Sequence, residues 1–145
     1  MKIISYQAKL SYADDGISVE FPDLDGCFSF GDTLEEALFN AREALDLYLE
    51  NAIDPKWKVP APKARKGSKF FWVTPSLEIA IPLTIRYLRE LSNLTQPEIA
   101  RRVNMKVQQY QKLEYPKKSN PTTKSLISVA DELGYEIEFK KKVVA

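Results

Sequence analysis

Residues 95–114 read TQPEIARRVNMKVQQYQKLE, a pattern that predicts two short helices joined by a tight turn. Thr95 followed three residues later by Glu98 is a capping box, which predicts that the first helix begins there. Pro97 fits this start because its missing N–H falls in the first turn, where no helical hydrogen bond is lost. Asn104 is placed at the turn, since Asn tolerates the left-handed backbone conformation better than most residues.

The second helix of this pair is predicted to bury one side and to expose polar side chains on the other. Tyr110 and Leu113 form the buried side. The exposed side carries Lys106, Gln108, Gln109, Gln111 and Lys112. Such a helix suits the major groove of DNA, where Gln bonds adenine and Lys bonds guanine or phosphate. By pattern alone, a polar helical hairpin in some other bundle remains the alternative.

Charge is divided unevenly between the two halves of the 145-residue chain, although the formal net charge is only +1. Residues 1–54 carry twelve acidic and three basic side chains, whereas residues 55–145 carry eight acidic and eighteen basic ones. A basic half suits contact with phosphate, and an acidic half suits a basic partner. The sequence therefore predicts an acidic module joined to a nucleic-acid-binding module. The alternative is that the acidic surface only keeps a small domain soluble.

Composition argues against several classes of protein and site. The chain has one cysteine, Cys27, and no histidine, which excludes an internal disulfide, a zinc site of the usual kind and His-dependent catalysis. No apolar run approaches the length of about 18 residues typical of a membrane span, and the N-terminus does not resemble a signal peptide. We therefore expect a cytoplasmic protein that is not an enzyme, with no catalytic residues, no metal site and no cofactor.

The first half of the chain predicts a small sheet with one packed helix. Alternation of apolar and polar residues over 4–12 and 17–21 predicts two strands, which an Asp-Gly turn joins as a hairpin. Residues 27–30 predict a short third strand. Apolar residues at helical spacing over 34–49 predict a helix that packs on the sheet.

The segment 51–69 predicts a mostly solvated loop, because it holds three prolines and six basic residues. The following residues 70–73, Phe-Phe-Trp-Val, are apolar enough to be a fourth strand that returns to the sheet. We therefore divide the chain into a first domain over 1–75, which includes this loop, and a second domain over 76–145.

The second domain is predicted to open with a helix over 76–91, in which Pro82 is either a kink or the true start. Tyr135, Ile137 and Phe139 alternate with charged residues and predict a closing strand, which would be an exposed edge unless it meets another copy. The expected fold class is thus α+β. A small antiparallel-type sheet with one packed helix is followed by an all-α domain that ends in a short strand.

From residue 85 to residue 133 the chain resembles the Cro/C1-type (XRE) helix-turn-helix domain. The resemblance rests on Leu94-Thr95-Gln96, Ile99-Ala100, Tyr110, Leu113-Glu114, Pro121 and Leu126 through Leu133-Gly134. It implies that Gln96 contacts phosphate and braces the recognition helix. Asn104 stands where Gly is usual, and Lys106 where a Ser or Thr cap is typical. The candidate DNA-binding residues are Gln96, Lys106, Val107, Gln108, Gln109 and Lys112.

Over about residues 2–75 the chain resembles the HicB antitoxin family. The resemblance rests on Phe21-Pro-Asp-Leu-Asp-Gly26, Gly31-Asp-Thr-Leu-Glu-Glu-Ala37, Ala41 and Ala44-Leu45. It implies a degenerate, partial RNase H-like fold followed by a DNA-binding tail, so that both halves match in the family's order. Asp25 stands where Pro or a small residue is usual.

This resemblance implies the antitoxin of a type II toxin–antitoxin system. The partner would be a HicA-like toxin, a small basic RNase that cleaves mRNA, and the C-terminal domain would bind operator DNA and repress the operon. The acidic domain would dock on the basic toxin through Phe21, Pro22, Asp23, Asp25 and Phe28. Because one recognition helix reads only a few base pairs, a homodimer or higher oligomer is expected.

Two other classes of function stay open at this stage. A metal-dependent RNase H-like enzyme would need carboxylates that converge on one point, whereas Asp14, Asp15, Asp23 and Asp25 fall in turns and only Glu20 stands out on a strand. A one-component transcriptional regulator with an N-terminal ligand-sensing domain would explain the helix-turn-helix equally well. That function would leave the acidic surface without a role.

Overall fold

A computed structural model describes residues 2–143, which form a four-stranded sheet with one helix between its third and fourth strands, and then four further helices within the described residues. The strands are β1 (Tyr6–Ala13), β2 (Gly16–Glu20), β3 (Phe28–Gly31) and β4 (Phe70–Val73). They pair antiparallel throughout, in the order β3-β2-β1-β4. The helices are α1 (Leu34–Leu49), α2 (Leu77–Leu91), α3 (Gln96–Arg102), α4 (Val107–Leu113) and α5 (Thr123–Glu132), and a 3-10 turn spans Glu50–Ile53. The predicted α+β class and the return of β4 to the sheet are confirmed.

One face of the sheet packs against α1. This helix begins after Thr33, whose hydroxyl accepts a hydrogen bond from the Glu36 N–H at 3.2 Å. It lies so close to the end of β3 that a Cβ on Gly31 would come within 2.3 Å of the Ala37 nitrogen. Glycine is therefore required at that position, and the Gly-Asp-Thr sequence both admits the helix and caps it.

The segment between the 3-10 turn and β4 follows the surface of the first domain. The Tyr6 hydroxyl donates to the Pro60 carbonyl at 2.8 Å, and the Arg65 N–H donates to the Gln7 side-chain oxygen at 2.6 Å. Its lysine side chains are exposed, but its backbone is bound to the sheet. The prediction of a mostly solvated loop is therefore correct for the lysine side chains, whereas Val59 is buried in the core. The backbone partners of the segment lie far away in sequence, so no local pattern indicates them.

Helix α2 runs through both hydrophobic cores. Ile79 and Leu83 belong to the core of the sheet domain, whereas Ile85 and Leu88 belong to the core of the helical domain. The proposed division at residue 75 thus falls just before a helix that both domains share.

Pro82 lies inside α2 and does not mark its start. A proline there removes the N–H that would bond the Glu78 carbonyl one turn earlier. The Lys117 N–H, from the connection between α4 and α5, donates to that carbonyl at 2.9 Å instead. The Glu78 carbonyl that Pro82 leaves without a helical donor is therefore satisfied by a distant part of the chain.

The strand predicted at residues 135–139 does not form. Tyr135 packs against the core of the helical domain, but Phe139 is 98% exposed and the backbone pairs with no strand among residues 2–143. A strand needs a neighbouring strand to supply hydrogen-bond partners, and alternation of side chains cannot provide one. This prediction is therefore wrong for the single chain.

Candidate functional surfaces

The helix-turn-helix begins and turns where the sequence predicts. The Thr95 hydroxyl accepts from the Glu98 N–H at 3.3 Å, and the Glu98 carboxylate accepts from the Thr95 N–H at 2.8 Å. Asn104 has a φ of 56° in the turn before α4, which is the left-handed conformation. The capping box and the role of Asn104 are therefore confirmed.

A buried ion pair joins α2 to the end of α4. Arg89 donates to both oxygens of the Glu114 carboxylate, at 2.6 and 2.8 Å, and also to the Leu94 carbonyl at 2.8 Å. Gln96 adds a third hydrogen bond to Glu114, at 3.2 Å. Gln96 thus links the start of α3 to the end of α4. Sequence reasoning missed Arg89 because it lies 25 residues from Glu114, a separation that no local pattern relates.

This ion pair also changes the environment of Tyr110, the largest side chain on the buried face of α4. Tyr110 is fully buried. Burial and then the negative charge of Glu114 raise the pKa of the Tyr110 phenol, so the side chain is neutral at physiological pH. The buried side of α4 therefore places an uncharged Tyr110 next to the Arg89–Glu114 ion pair.

The polar face of α4 is exposed, as predicted for a recognition helix. Lys106, Gln108, Gln109 and Lys112 are exposed, whereas Val107 is half-buried against the helical core. The Gln109 side-chain oxygen accepts from the Lys106 N–H at 3.1 Å, which is one half of a capping box, whereas the Lys106 side chain makes no cap hydrogen bond of the kind that Ser or Thr would make. The Gln108 side chain makes no hydrogen bond within residues 2–143, which leaves its whole amide available to a partner.

The candidate toxin-binding residues, which lie in and beside the loop between β2 and β3, differ in burial. Phe21 is only 1% exposed and packs in the core, so it supports the loop from inside and does not lie on its surface. Pro22 is half-buried, Asp25 is exposed, and Phe28 is 73% exposed. Burial raises the pKa of the Cys27 thiol to about 11, so this thiol is not a nucleophile at neutral pH.

Asp23 is engaged within the chain. Its side chain is 4% exposed and accepts from the Arg65 guanidinium and from the Lys63 N–H, both at 2.8 Å. Burial by itself raises the pKa of Asp23, but the hydrogen bonds from Arg65 and Lys63 outweigh it and lower the pKa overall. Asp23 therefore holds the basic segment, residues 51–69, against the first domain and is not a free acidic group.

An apolar groove adjoins this loop. Phe28, Leu47 and Tyr48 line it together, and Leu47 is among the most exposed large apolar side chains in the described structure. Sequence reasoning assigned the apolar residues of α1 at helical spacing to the core and did not consider Leu47. The signal that could have identified the groove is Leu47 itself, which lies outside the helical stripe that packs on the sheet.

Within residues 2–143 no group of three Asp, Glu or Cys side chains could hold a metal ion. The acids of the two hairpin turns and of β2 therefore do not form a shared site. In this same part of the chain, no helix has the length and apolar character needed to cross a membrane.

Two family models match consecutive parts of the chain. The model described as the HicB-like antitoxin of bacterial toxin–antitoxin systems matches residues 6–70, and a helix-turn-helix model matches residues 85–140. Together they reproduce the order of the two domains described above.

Individual proteins are also similar to this chain. Antitoxin HicB 2 of Photorhabdus laumondii is 29% identical over 112 residues, which cover 77% of this chain and 78% of that protein. An uncharacterized 14.9 kDa protein from the rep-hol intergenic region of Haemophilus phage HP1 is 40% identical over 55 residues, or 38% of this chain; the match spans 41% of that relative. A solved HicA3 and HicB3 toxin–antitoxin complex has a chain that is 31% identical, with a TM-score of 0.37, covering 42% of this chain and 72% of that one. The chain therefore contains a HicB-like antitoxin domain over residues 6–70, followed by a helix-turn-helix domain over residues 85–140.

Proposed function

We propose that this chain is the antitoxin of a type II toxin–antitoxin system and acts in the cytoplasm by binding, not by catalysis. Its first domain would bind and neutralise a HicA-type toxin that cleaves mRNA. Its helix-turn-helix would bind operator DNA and repress the operon. The observation that carries the first half of this proposal is the apolar groove at Phe28 and Leu47, which lies in a domain rich in acidic side chains.

The toxin-binding surface is proposed to consist of Pro22, Asp25 and Phe28, with Leu47 across the groove. An exposed aromatic side chain next to an exposed carboxylate suits a basic protein partner, because apolar burial supplies affinity and charge supplies orientation. Phe21 and Asp23 would shape this surface from beneath, since the first lies in the core and the second holds Arg65.

This surface is tested by measuring the affinity of the full chain for the protein encoded beside it, by isothermal titration calorimetry. Phe28→Ser is expected to weaken binding at least tenfold, about 1.4 kcal/mol, because it removes an aromatic contact. The matched control is Tyr12→Ser, which changes another exposed aromatic residue of the same sheet and is expected to bind normally. Asp25→Lys is expected to weaken binding through charge repulsion.

Three other results would change the proposal. If both aromatic variants bind normally, the groove is not the toxin surface. If the wild-type chain binds no neighbouring protein but still binds its operator, the antitoxin function fails and a one-component regulator replaces it. If a catalytically inactive toxin binds but the active toxin still cleaves RNA in the complex, neutralisation fails.

The DNA-binding half of the proposal rests on the exposed face of α4 and on the brace from Gln96 to Glu114. A single recognition helix reads only a few base pairs, so we propose that a homodimer or higher oligomer binds two half-sites about one helical turn, or multiples of it, apart. Analytical ultracentrifugation and footprinting on the upstream region test this directly. A monomer that protects a single half-site would contradict it.

A further inference from the structure

A basic loop of the first domain, residues 52–59, lies beside the helix-turn-helix. One cleft between the domains is lined by Ile53, Pro55 and Lys58 on one side and by Thr95, Gln96 and Gln111 on the other. Gln96 is the residue expected to contact phosphate. The loop therefore reaches the edge of the proposed DNA-binding surface, although it belongs to the other domain.

The position of this loop is set by a buried arginine. Arg86 of α2 donates to the carbonyls of Ala52 and Trp57, and to that of Asp54 at 3.2 Å. Arg86 is 4% exposed, and its guanidinium lies 6.0 Å from the centre of the Trp57 ring. The loop is thus bound to the same helix that carries Arg89, the residue that holds the end of α4.

Glu90 completes this attachment. It accepts from Arg86 at 3.0 Å and from the Val59 N–H at 3.1 Å, directly after Lys58. The Lys58 side chain is exposed and forms no ion pair within residues 2–143. A lysine on a fixed backbone, without an internal partner, is available to an external anion.

We propose that Lys58 contacts a DNA phosphate next to the one that Gln96 binds, so that the DNA-binding surface extends into the first domain. This inference rests on the proposed DNA-binding function and deepens it. Phosphate is the matching partner because Lys58 and Gln96 line one cleft and DNA presents successive phosphates along each strand.

The test is the salt dependence of DNA binding by the full chain, measured by fluorescence anisotropy on operator and on unrelated duplex. Lys58→Ala is expected to weaken binding to both duplexes by a similar factor. It should also reduce the slope of log K against log salt by about 0.9, the value for one lost phosphate contact. Lys58→Arg is expected to retain the slope, since it retains the charge.

The matched control is Lys66→Ala, which removes an exposed lysine from the same basic segment, beside the Arg65 backbone that is bound to Gln7 on the sheet. It is expected to leave affinity and slope unchanged. If Lys58→Ala leaves both unchanged while Lys112→Ala weakens binding, the inference is overturned and the DNA-binding function stands. If the wild-type chain binds neither duplex, both are overturned.

Discussion

At the scale of single residues, two adjacent glutamines of α4 differ in whether their side-chain amides are already hydrogen-bonded within the chain. The Gln109 side-chain oxygen is bonded to the Lys106 N–H, whereas the Gln108 side chain has no hydrogen-bond partner within residues 2–143. A bidentate contact to adenine needs both the oxygen and the nitrogen of one amide. Gln108 is therefore the better reader of base sequence, and Gln109 is partly committed to capping the helix.

We predict that Gln108→Ala lowers the discrimination between operator and random DNA by about 1–3 kcal/mol, because a bidentate base contact is lost. Gln109→Ala should cause a smaller loss of discrimination and lower the free energy of unfolding by about 0.5–1 kcal/mol through the lost cap. Competition binding and urea unfolding measure the two effects. An equal loss of affinity of Gln108→Ala for both DNAs would identify Gln108 as a backbone contact.

Asp23 gives a prediction that depends on pH. Its pKa is lowered in the folded chain, so the carboxylate stabilises the fold above the unfolded pKa of about 3.9. This contribution disappears as the pH falls through the lower, folded pKa. Asp23→Asn is expected to reduce the free energy of unfolding by about 1–3 kcal/mol at pH 7, since it weakens the bonds to Arg65 and the Lys63 N–H.

Urea unfolding of Asp23→Asn and wild type at pH 7 and at about pH 3 tests this, because the difference should shrink at the lower pH. The matched control is Asp25→Asn, which changes an exposed carboxylate two residues away and should leave stability within about 0.5 kcal/mol at both values. A difference for Asp23→Asn that persists in full at low pH would mean that its charge is not what stabilises the loop.

At the scale of elements, the turn between α3 and α4 depends on Asn104. Its φ of 56° disfavours residues with a branched Cβ. We predict that Asn104→Val lowers the free energy of unfolding by about 1–2 kcal/mol, whereas Asn104→Gly changes it by less than about 0.5 kcal/mol. Chemical denaturation measures both. A Val variant as stable as wild type would show that the turn can adopt another geometry.

At the scale of the whole molecule, Arg86 joins the first domain to the helix that enters the second. Arg86→Met is expected to lower the free energy of unfolding by about 3–5 kcal/mol, because it leaves the half-buried Glu90 without its ion-pair partner and several loop carbonyls without their donor. Arg101→Met, which changes an exposed arginine of α3, should cost less than about 0.5 kcal/mol. Denaturant unfolding compares the two variants.

Limited proteolysis gives a second measure of the same attachment. Arg86→Met should accelerate cleavage between residues 52 and 59, since exposed and mobile loops are preferred sites of proteolysis. Unchanged stability and unchanged cleavage would show that the loop is held by other contacts.

Local patterns account for the parts of this fold that could be predicted. The capping box at Thr95, the turn at Asn104 and the alternation of the strands each act over a few neighbouring residues. Such signals are readable because the hydrogen bond or the buried face that they produce lies within one element or one turn. The exposed face of α4 was predictable for the same reason, since helical spacing assigns the inner and outer sides.

Tertiary structure decided which of the polar and apolar residues are available to a partner. Arg65 lies 42 residues from Asp23 and removes it from the surface, and Arg86 fixes a loop about 30 residues earlier in the chain. Alternation at 135–139 was misleading because strand pairing needs a partner that the pattern does not specify. The local elements and the charge of each half thus follow from the sequence, because residues that are neighbours along the chain determine them. The usable binding surface follows from contacts between distant residues, which exist only once the chain has folded.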